Sequence, residues 1–545
     1  MKGLDQSRFH LFQDGHEQPI ASFEENQPPA NPSASEETPE APALPENTYS
    51  NVPAYPGTGA VNVLLLDALN TPASDQEQVR KQMIKYLGTI KPGTSLAIFM
   101  LSSQLRMATG FTTDAAQLLK VLETQKGKTQ TAASNLSGDI GNLAPGLANN
   151  PDPQTRWLVS TIQQFATDTQ TYENDQRVMM TLTALDQLAR YLAAVPGRKN
   201  LIWFSGSFPI GLTPDALSRA DLKNVRDYSS AVRDTSDLLS AARVSVYPVD
   251  ARGLLVSPTS STSYLAPPGA GPKNPMAIGS DSTTNFAEQT SVEKDSMNTI
   301  ATETGGHAYA MGNDLKATLN KITDNDSYYY AVSYVPPQSS PGKNGYHTIE
   351  VKVDGGKYRL GYRRGYYTAP GSNPANGSGG GPNPVSAAAQ DGAPPSTQIL
   401  FRARVLPDTA PELNGAALDD KAAGERTASF LSGSHRYVID LGLKPQDMPL
   451  AENTDGKRTA QLECDLLVYD DKGQLVNSLG RELKLNLSSQ QYEQLTAAGG
   501  AIPFRMALDL PTGDFRLRIV LYDAASAKTG SIEIPLEVQG KQSNP

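Results

Sequence analysis

The stretch VNVLLLDALNT, residues 61 to 71, runs five apolar side chains in six positions into Asp67 and then into a polar turn. A buried strand that ends this way delivers a carboxylate to the rim of a sheet. There the carboxylate can hold a hard cation such as Mg²⁺, which takes about six oxygen ligands and usually one or two carboxylates. It can serve a serine nucleophile in a hydrolase site. Or it can accept backbone N–H bonds at the start of the next helix and pin its own loop.

Serine chemistry has thin support. Ser205 and Ser207 stand in SGSFP at the end of another apolar stretch, without a Gly-x-Ser-x-Gly elbow around them. A hydrolase site built from Ser205, Asp67 and Asp250 needs a basic group to activate the serine, and only Lys199 and Arg252 stand near in sequence. The five histidines, His10, His16, His307, His347 and His435, lack a spacing such as His-x-x-x-His, so each reads as a surface or hydrogen-bonded residue rather than a zinc ligand. Gly305-Gly306 follows a helical stretch, whereas a phosphate cradle precedes one, so the pair reads as a helix stop and implies no nucleotide. Cys464, the single cysteine, cannot pair within the chain and sits in the alternating QLECDLLVY as a half-buried strand residue.

The elements that must position Asp67 alternate strand and helix. After VNVLLLD, Ser74 and Glu77 have the spacing of a capping box, and Val79, Met83, Tyr86, Leu87 and Ile90 share one helical face. TSLAIFML (94–101) predicts the next buried strand, with a short helix through Leu118, Leu119 and Val121 behind it. Two helical faces follow, one through Trp157, Leu158, Ile162 and Phe165 and, beyond the polar TDTQTYEND, one through Val178, Leu182, Leu185, Leu188 and Leu192. NLIWFSGS and VSVYPVD predict strands separated by a helix over about 214–243, and a helix over 291–304 leads to the glycine pair. Apolar strands that barely alternate, each followed by a helix, require a sheet covered on both faces. The expected fold is α/β, a doubly wound and mostly parallel sheet. Asp67 would then end its first strand, beside the switch point where such sheets bind ligands.

Composition divides the rest. FHLF, the turn pair Asp14-Gly15 and QPIASF predict a β-hairpin within residues 1–25, with partner strands expected upstream. Residues 26–57 are rich in Pro, Ser and Glu and read as an extended linker. The α/β domain covers 58–326, with loose insertions at 124–156 and 255–290. Tyr-rich alternating segments over 327–368 predict an antiparallel β-annex. A Gly/Pro-rich linker, 369–397, precedes seven short alternating segments in 398–540, the count and size of an immunoglobulin-like β-sandwich.

The net charge is -10 and the 47 Lys and Arg residues are scattered, which argues against nucleic acid as a partner. No stretch approaches the roughly 20 apolar residues of a membrane span. MKGLDQSRFHLFQDGHEQ lacks the apolar core of a signal peptide.

Five ordered pieces carry a resemblance: LLLDALNTP, LAIFML with FTTD shortly after, GRKNLIWFSGSFP, VYPVDARGL and ATETGGHAYA. Together they resemble a von Willebrand factor type A domain of the divergent type described from Acidobacteria, over about residues 58–368. GLDQSRFHLFQDGHEQPIASF is similar to the segment that precedes the domain in those proteins, cut off at its start. The resemblance implies a divalent-cation site formed by an Asp-x-Ser-x-Ser loop, a later threonine and an aspartate after the fourth strand. Asp67 matches the first aspartate and Thr71 replaces the last serine. Leu69 stands where the middle serine would, and Phe204-Ser205-Gly206 where Thr-Asp-Gly would. Asn70, Thr71, Ser205, Ser207 and one of Thr169 or Thr171 still offer neutral oxygens, and Asp250 ends another strand. The expected site is therefore degenerate: Asp67, Asn70, Thr71 and Ser205 around at most a weakly bound Mg²⁺ or other divalent cation, with Asp67 chiefly pinning its loop.

Without a nucleophile elbow, cofactor loop or paired acid and base, the chain reads as non-catalytic. The expectation is an adhesion or assembly module of the bacterial cell envelope whose partner is another protein. The resemblance implies a periplasmic or secreted location, with the export signal missing from a truncated N-terminus. Two alternatives stand beside this reading: a hydrolase with a sheet-rim serine site, and a cytoplasmic scaffold.

Overall fold

A computed structural model describes residues 2–27, 44–53, 55, 61–88, 90, 94–124, 153–206, 228–250, 297–310, 328–337, 346–356, 358, 360–367, 383–413, 434–453 and 455–539. The chain divides into two units that are interleaved in sequence. The first draws on Met1–Ala34, Thr58–Leu185 and Gly197–Gly381, the second on Ser35–Gly57, Asp186–Pro196 and Pro382–Pro545.

Strands are numbered in chain order. β1 (Phe9–Gln13), β2 (His16–Gln18) and β3 (Ser22–Asn26) belong to the first unit, β4 (Thr48–Ser50) to the second. The central sheet of the first unit contains β5 (Val61–Asp67), β6 (Leu96–Leu101), β7 (Leu105–Thr112), β8 (Lys199–Ser205), β9 (Val244–Asp250) and β10 (Tyr309–Ala310), in the order β10-β9-β8-β5-β6-β7. β5 is parallel to both of its neighbours, β8 to β9 and β9 to β10; only the edge strand β7 is antiparallel. The sheet thus winds outward from β5 in both directions.

Every residue of β5, β8 and β9 is buried. Successive side chains point to opposite faces, so both faces are covered. On one face Leu64, Leu66, Ile98, Ile202 and Phe204 share a core with Val79, Met83 and Tyr86 of α1 (Ala73–Leu87) and with Leu118 and Leu122 of α2 (Ala115–Thr124). Burying each such side chain is worth about 1.5–3 kcal/mol, which is why the continuous apolar runs settle here.

Several local expectations change. The spacing at Ser74 does not form a capping box; the N-cap is Pro72, without a side-chain cap bond. β7, LRMATGFT, was not anticipated, because its half-exposed pattern gives no clean alternation. The two helical faces separated by TDTQTYEND lie on one continuous helix, α3 (Pro153–Leu192). That interval is polar but contains neither Gly nor Pro, and polarity alone does not break a helix. α4 covers Ser229–Ala241 and α5 covers 297–303; of the insertions expected at 124–156 and 255–290, residue 124 ends α2, residues 153–156 begin α3, and the rest lies outside the described residues. α5 stops at Gly305, whose φ is +75°. A Cβ on Gly306 would lie 2.0 Å from the Val246 carbonyl oxygen of β9, so the second glycine is needed for close approach to the sheet.

The annex contains β11 (Tyr329–Ser333), β12 (Tyr346–Val353) and β13 (Gly365–Tyr367). It supplies the partners that the N-terminal hairpin was expected to find upstream. β1 pairs with β12 from Phe9↔Val353 to Gln13↔Ile349, within a sheet ordered β13-β12-β1-β2, and β3 pairs with β11. Asp14 and Gly15, both at positive φ, turn the hairpin as an Asp-Gly pair can.

The second unit contains β14 (Phe401–Pro407), β15 (His435–Leu443), β16 (Ala451–Glu452), β17 (Arg458–Tyr469), β18 (Leu475–Leu487), β19 (Ile502–Leu510), β20 (Gly513–Asp523) and β21 (Lys528–Val538). One sheet is ordered β19-β15-β14-β4; in the other, β17 pairs with β16, β18 and β20, and β20 with β21. Both sheets contribute to one core, which includes Phe401, Ile439 and Leu508 from the first and Leu466, Ile519 and Ile534 from the second. Cys464 is fully buried in that core rather than half-buried, and burial pushes its thiol up to about 12.

Both stretches read as linkers contribute to this unit. In the first, Thr48–Ser50 forms β4 against β14. Buried Asn51 donates to the Ser396 and Ile399 carbonyls, both at 2.8 Å, and accepts from the Phe401 N–H at 2.9 Å. In the second, α6 (Pro384–Ala389) and the residues after it are held by the fully buried Arg518, which donates to the carbonyls of Ala388, Ala393 and Pro394. Pro and Ser content signals an absent helix or strand period, but it does not reveal backbone carbonyls that a distant side chain will claim.

Candidate functional site

β5 brings Asp67 to the carboxyl end of the central sheet, between β6 and β8, where it is 0% exposed. Its Oδ1 accepts from the Asn70 backbone N–H at 2.9 Å. Its Oδ2 accepts three donors: Asn70 Nδ2 at 2.8 Å, Trp203 Nε1 at 3.0 Å and Ser205 Oγ at 3.0 Å. Thr71 Oγ1 donates to the Asp67 carbonyl and accepts from the Gly206 N–H at 2.9 Å. Asn70 Nδ2 also donates to Thr181 Oγ1 of α3 at 2.9 Å, and that hydroxyl donates to the Arg177 carbonyl at 2.7 Å. Asn70 and Ser205 therefore meet at the Asp67 carboxylate, while Thr71 engages the Asp67 main-chain carbonyl.

Two residues at this point were not anticipated. A threonine of α3 that reaches the loop is Thr181; the Thr171 side chain lies outside the described residues. Trp203 was read only as a strand residue of NLIWF; its indole N–H is aimed at Asp67. A buried tryptophan needs a partner for that N–H, and this requirement was the signal available in the sequence.

The oxygens fit a divalent cation poorly. Such an ion takes about six oxygen ligands, Mg²⁺ in near-ideal octahedral geometry. Three donors enclose Asp67 Oδ2, a fourth engages Oδ1, and Leu69, buried in the same loop, supplies none. Asn70 Oδ1 is buried without a hydrogen-bond partner. Among the described residues of this loop, that oxygen and the second lone pair of Asp67 Oδ1 fall well short of a coordination shell. Ser207 lies outside the described residues. Burial raises the Asp67 carboxyl above the usual aspartate range, and the donors from Asn70, Trp203 and Ser205 oppose that rise.

Ser205 and Asp250 are register partners on β8 and β9, so the three residues of the hydrolase alternative end three adjacent strands. Ser205 is 0% exposed, however, and its hydroxyl donates to Asp67. Lys199 begins β8 and so stands at the opposite edge of the sheet, about 20 Å from Ser205 at 3.3 Å per residue. There its Nζ donates to the Ala242 carbonyl at 2.8 Å, and burial, with Arg243 nearby, brings it down to about 8. Arg252 lies outside the described residues. The histidines serve elsewhere: buried His347 bonds Asp14 through Nδ1 at 2.6 Å, and His10 bridges Glu17 and Asp354. Among the described residues no group of three His, Cys, Asp or Glu could hold a metal ion, and no helix is long and apolar enough to cross a membrane.

No family model matches the sequence, and no curated protein matches it. Solved structures give partial likenesses. A β-glucuronidase 2 from Bacteroides uniformis, bound to cyclophellitol-6-carboxylate aziridine, aligns at 11% identity with a TM-score of 0.13, over 19% of this chain and 12% of that one. The chain thus spans about an eighth of that enzyme's length. An aerotolerance-related membrane protein from Bacteroides fragilis aligns at 12% identity with a TM-score of 0.23, over 49% of this chain and 98% of that one. BatB from Bacteroides thetaiotaomicron aligns at 8% identity with a TM-score of 0.22, over 49% and 98%. Scores this low do not establish a shared fold, and the sheet order and the Asp67 hydrogen bonds stand on their own.

Proposed function

We propose that the chain is a non-catalytic protein-binding module, an adhesion or assembly component of the bacterial cell envelope. In this reading the first unit is a von Willebrand factor A-like domain with a degenerate metal-ion-dependent adhesion site, and the second is an immunoglobulin-like sandwich. A parallel sheet that winds both ways from β5 supports it, as does the position of Asp67 at the switch-point rim. The observation that carries it is the engagement of the Asp67 carboxylate by four protein donors. A carboxylate so enclosed organises its loop; it neither grips an ion nor activates a buried serine.

Site-specific photo-crosslinking in whole cells tests this. Ser103, exposed in the β6–β7 turn at the same rim, carries the crosslinker, and exposed Lys85, near the far end of α1, serves as the control position. The expected result is one discrete protein adduct from Ser103, absent from Lys85 and unchanged by a chelator. An adduct that disappears with chelator restores a cation-dependent site. Turnover of an ester substrate that is lost in Ser205→Ala would instead establish the hydrolase.

A further inference from the structure

The annex meets the α/β body of the first unit through polar groups. Arg363, just before β13, pairs with Asp237 of α4, and its Nε donates to the Gly365 carbonyl at 2.6 Å. The Arg198 N–H donates to the Tyr329 hydroxyl at 3.2 Å. Beside the first of these contacts lies a cavity of about 10 Å³, lined by Arg233, Ser236 and Asp237 of α4, Glu303 of α5, Tyr346 of β12 and Gly365 of β13. That is room for about one water molecule.

Two of the lining atoms, Oε2 of Glu303 and Oγ of Ser236, the latter on a side chain 4% exposed, face the same space without closing to a hydrogen bond, so the hydroxyl favours the ionised carboxyl only weakly. A carboxylate left this way in a buried seam faces a desolvation cost that a carboxylic acid does not. We propose that the seam is a proton-responsive latch, in which Glu303 takes up a proton as the surroundings acidify and the annex then holds more tightly to α4 and α5. The charged groups that face Glu303 are Asp237 and Arg233 from α4 and Arg363 from the annex, with Asp234 beside them. Arg363 is already paired with Asp237, so its charge toward Glu303 is largely offset, and Asp237 adds negative charge beside it.

The direction of the response follows from these surroundings. Burial raises the Glu303 carboxyl above the usual glutamate range; Asp237 adds to the rise, while Ser236, Arg233 and Arg363 oppose it. An acid whose folded-state value is raised penalises the folded seam while ionised, and the penalty is relieved as pH falls through that value. The seam therefore tightens between neutral pH and the ordinary glutamate range.

Hydrogen exchange of 346–353 in the full chain, corrected for intrinsic rates, reads the latch. Protection in the wild type is expected to rise as pH falls from about 7.5 to about 4, with most of the gain below about pH 5.5, because the opening equilibrium changes by the factor in which the proton affinity of Glu303 differs between the open and closed seam, and that factor is complete only below the open-state value of about 4.3. Glu303→Gln, fixed in the neutral form, should show the higher protection at both ends. A wild-type pH response retained in Glu303→Gln, or protection that falls with acid in the wild type, overturns the latch. Should Glu303→Gln fail to fold, ¹³C-carboxyl NMR of the wild type decides. A Glu303 midpoint above about 4.3 supports the proposal, and one at or below it removes it.

Discussion

The indole N–H of Trp203 donates to Oδ2 of Asp67 at 3.0 Å, between neighbouring parallel strands of the central sheet. A donor thus points at the oxygen that a bound cation would need. With Ser205 and Asn70 at the same oxygen, the carboxylate is a structural acceptor fixing the turn from β5 into α1.

Trp203→Phe removes that donor while keeping a large aromatic ring in the core. The loss of one hydrogen bond to a buried carboxylate should cost about 1–3 kcal/mol in urea denaturation. Calorimetric titration of the wild type with Mg²⁺, Ca²⁺ or Mn²⁺ should give no saturable heat. Saturable heat that Asp67→Ala abolishes would show that the loop rearranges around an ion.

Asn51→Ala tests whether the stretch before β5 is part of the second unit. It strips donors from the Ser396 and Ile399 carbonyls and an acceptor from the Phe401 N–H. A loss of about 2–4 kcal/mol is expected in equilibrium unfolding, since each buried orphan costs about 1–3 kcal/mol and some recover water. A change below about 0.5 kcal/mol, the surface-substitution range, would mean that the segment is dispensable.

Arg518→Met probes the other end of the same unit. The fully buried guanidinium serves three carbonyls and lies 3.4 Å from Glu533. Removing one side of such a buried arrangement costs about 3–5 kcal/mol. Limited proteolysis should show cleavage within 383–397 that the wild type resists, and equal resistance in the variant would count against the role assigned to Arg518.

Asp440 of β15 gives the second unit an acid limit. Burial alone would raise its carboxyl, but Arg505 and Arg404 outweigh that and hold it below the usual range. A depressed acid contributes stability above its unfolded value, and the contribution is lost as pH falls through the folded one. Thermal melts should therefore drop steeply below about pH 4, and Asp440→Asn should flatten that drop while lowering the neutral-pH midpoint.

Legibility differed between the strands and their surroundings. β5, β8 and β9 could be read because strands covered on both faces must be apolar almost throughout, and Asp67 stood out as the break in one such run. β7 and the continuity of α3 could not, since an edge strand lacks that pressure and a polar helical surface resembles a connection. Pairings such as Phe9↔Val353 were out of reach, because cross-strand contacts leave no local mark. At the site, Asp67 was identifiable by its strand end, and Asn70, Thr71 and Ser205 through the motif that the resemblance implies. Thr181 and Trp203 were not, since helix and strand geometry decide which hydroxyl or indole turns toward the rim.

The pairing of β1 with β12 also sets the timetable of biogenesis. Phe9 leaves the ribosome long before Val353 is made. At 5–20 residues per second the interval is roughly 20–70 s. For that time the apolar face of the nascent hairpin, Phe9 and Leu11, has no sheet to join. Pausing translation between residues 26 and 346 is expected to lengthen that window and to increase aggregation of newborn chains.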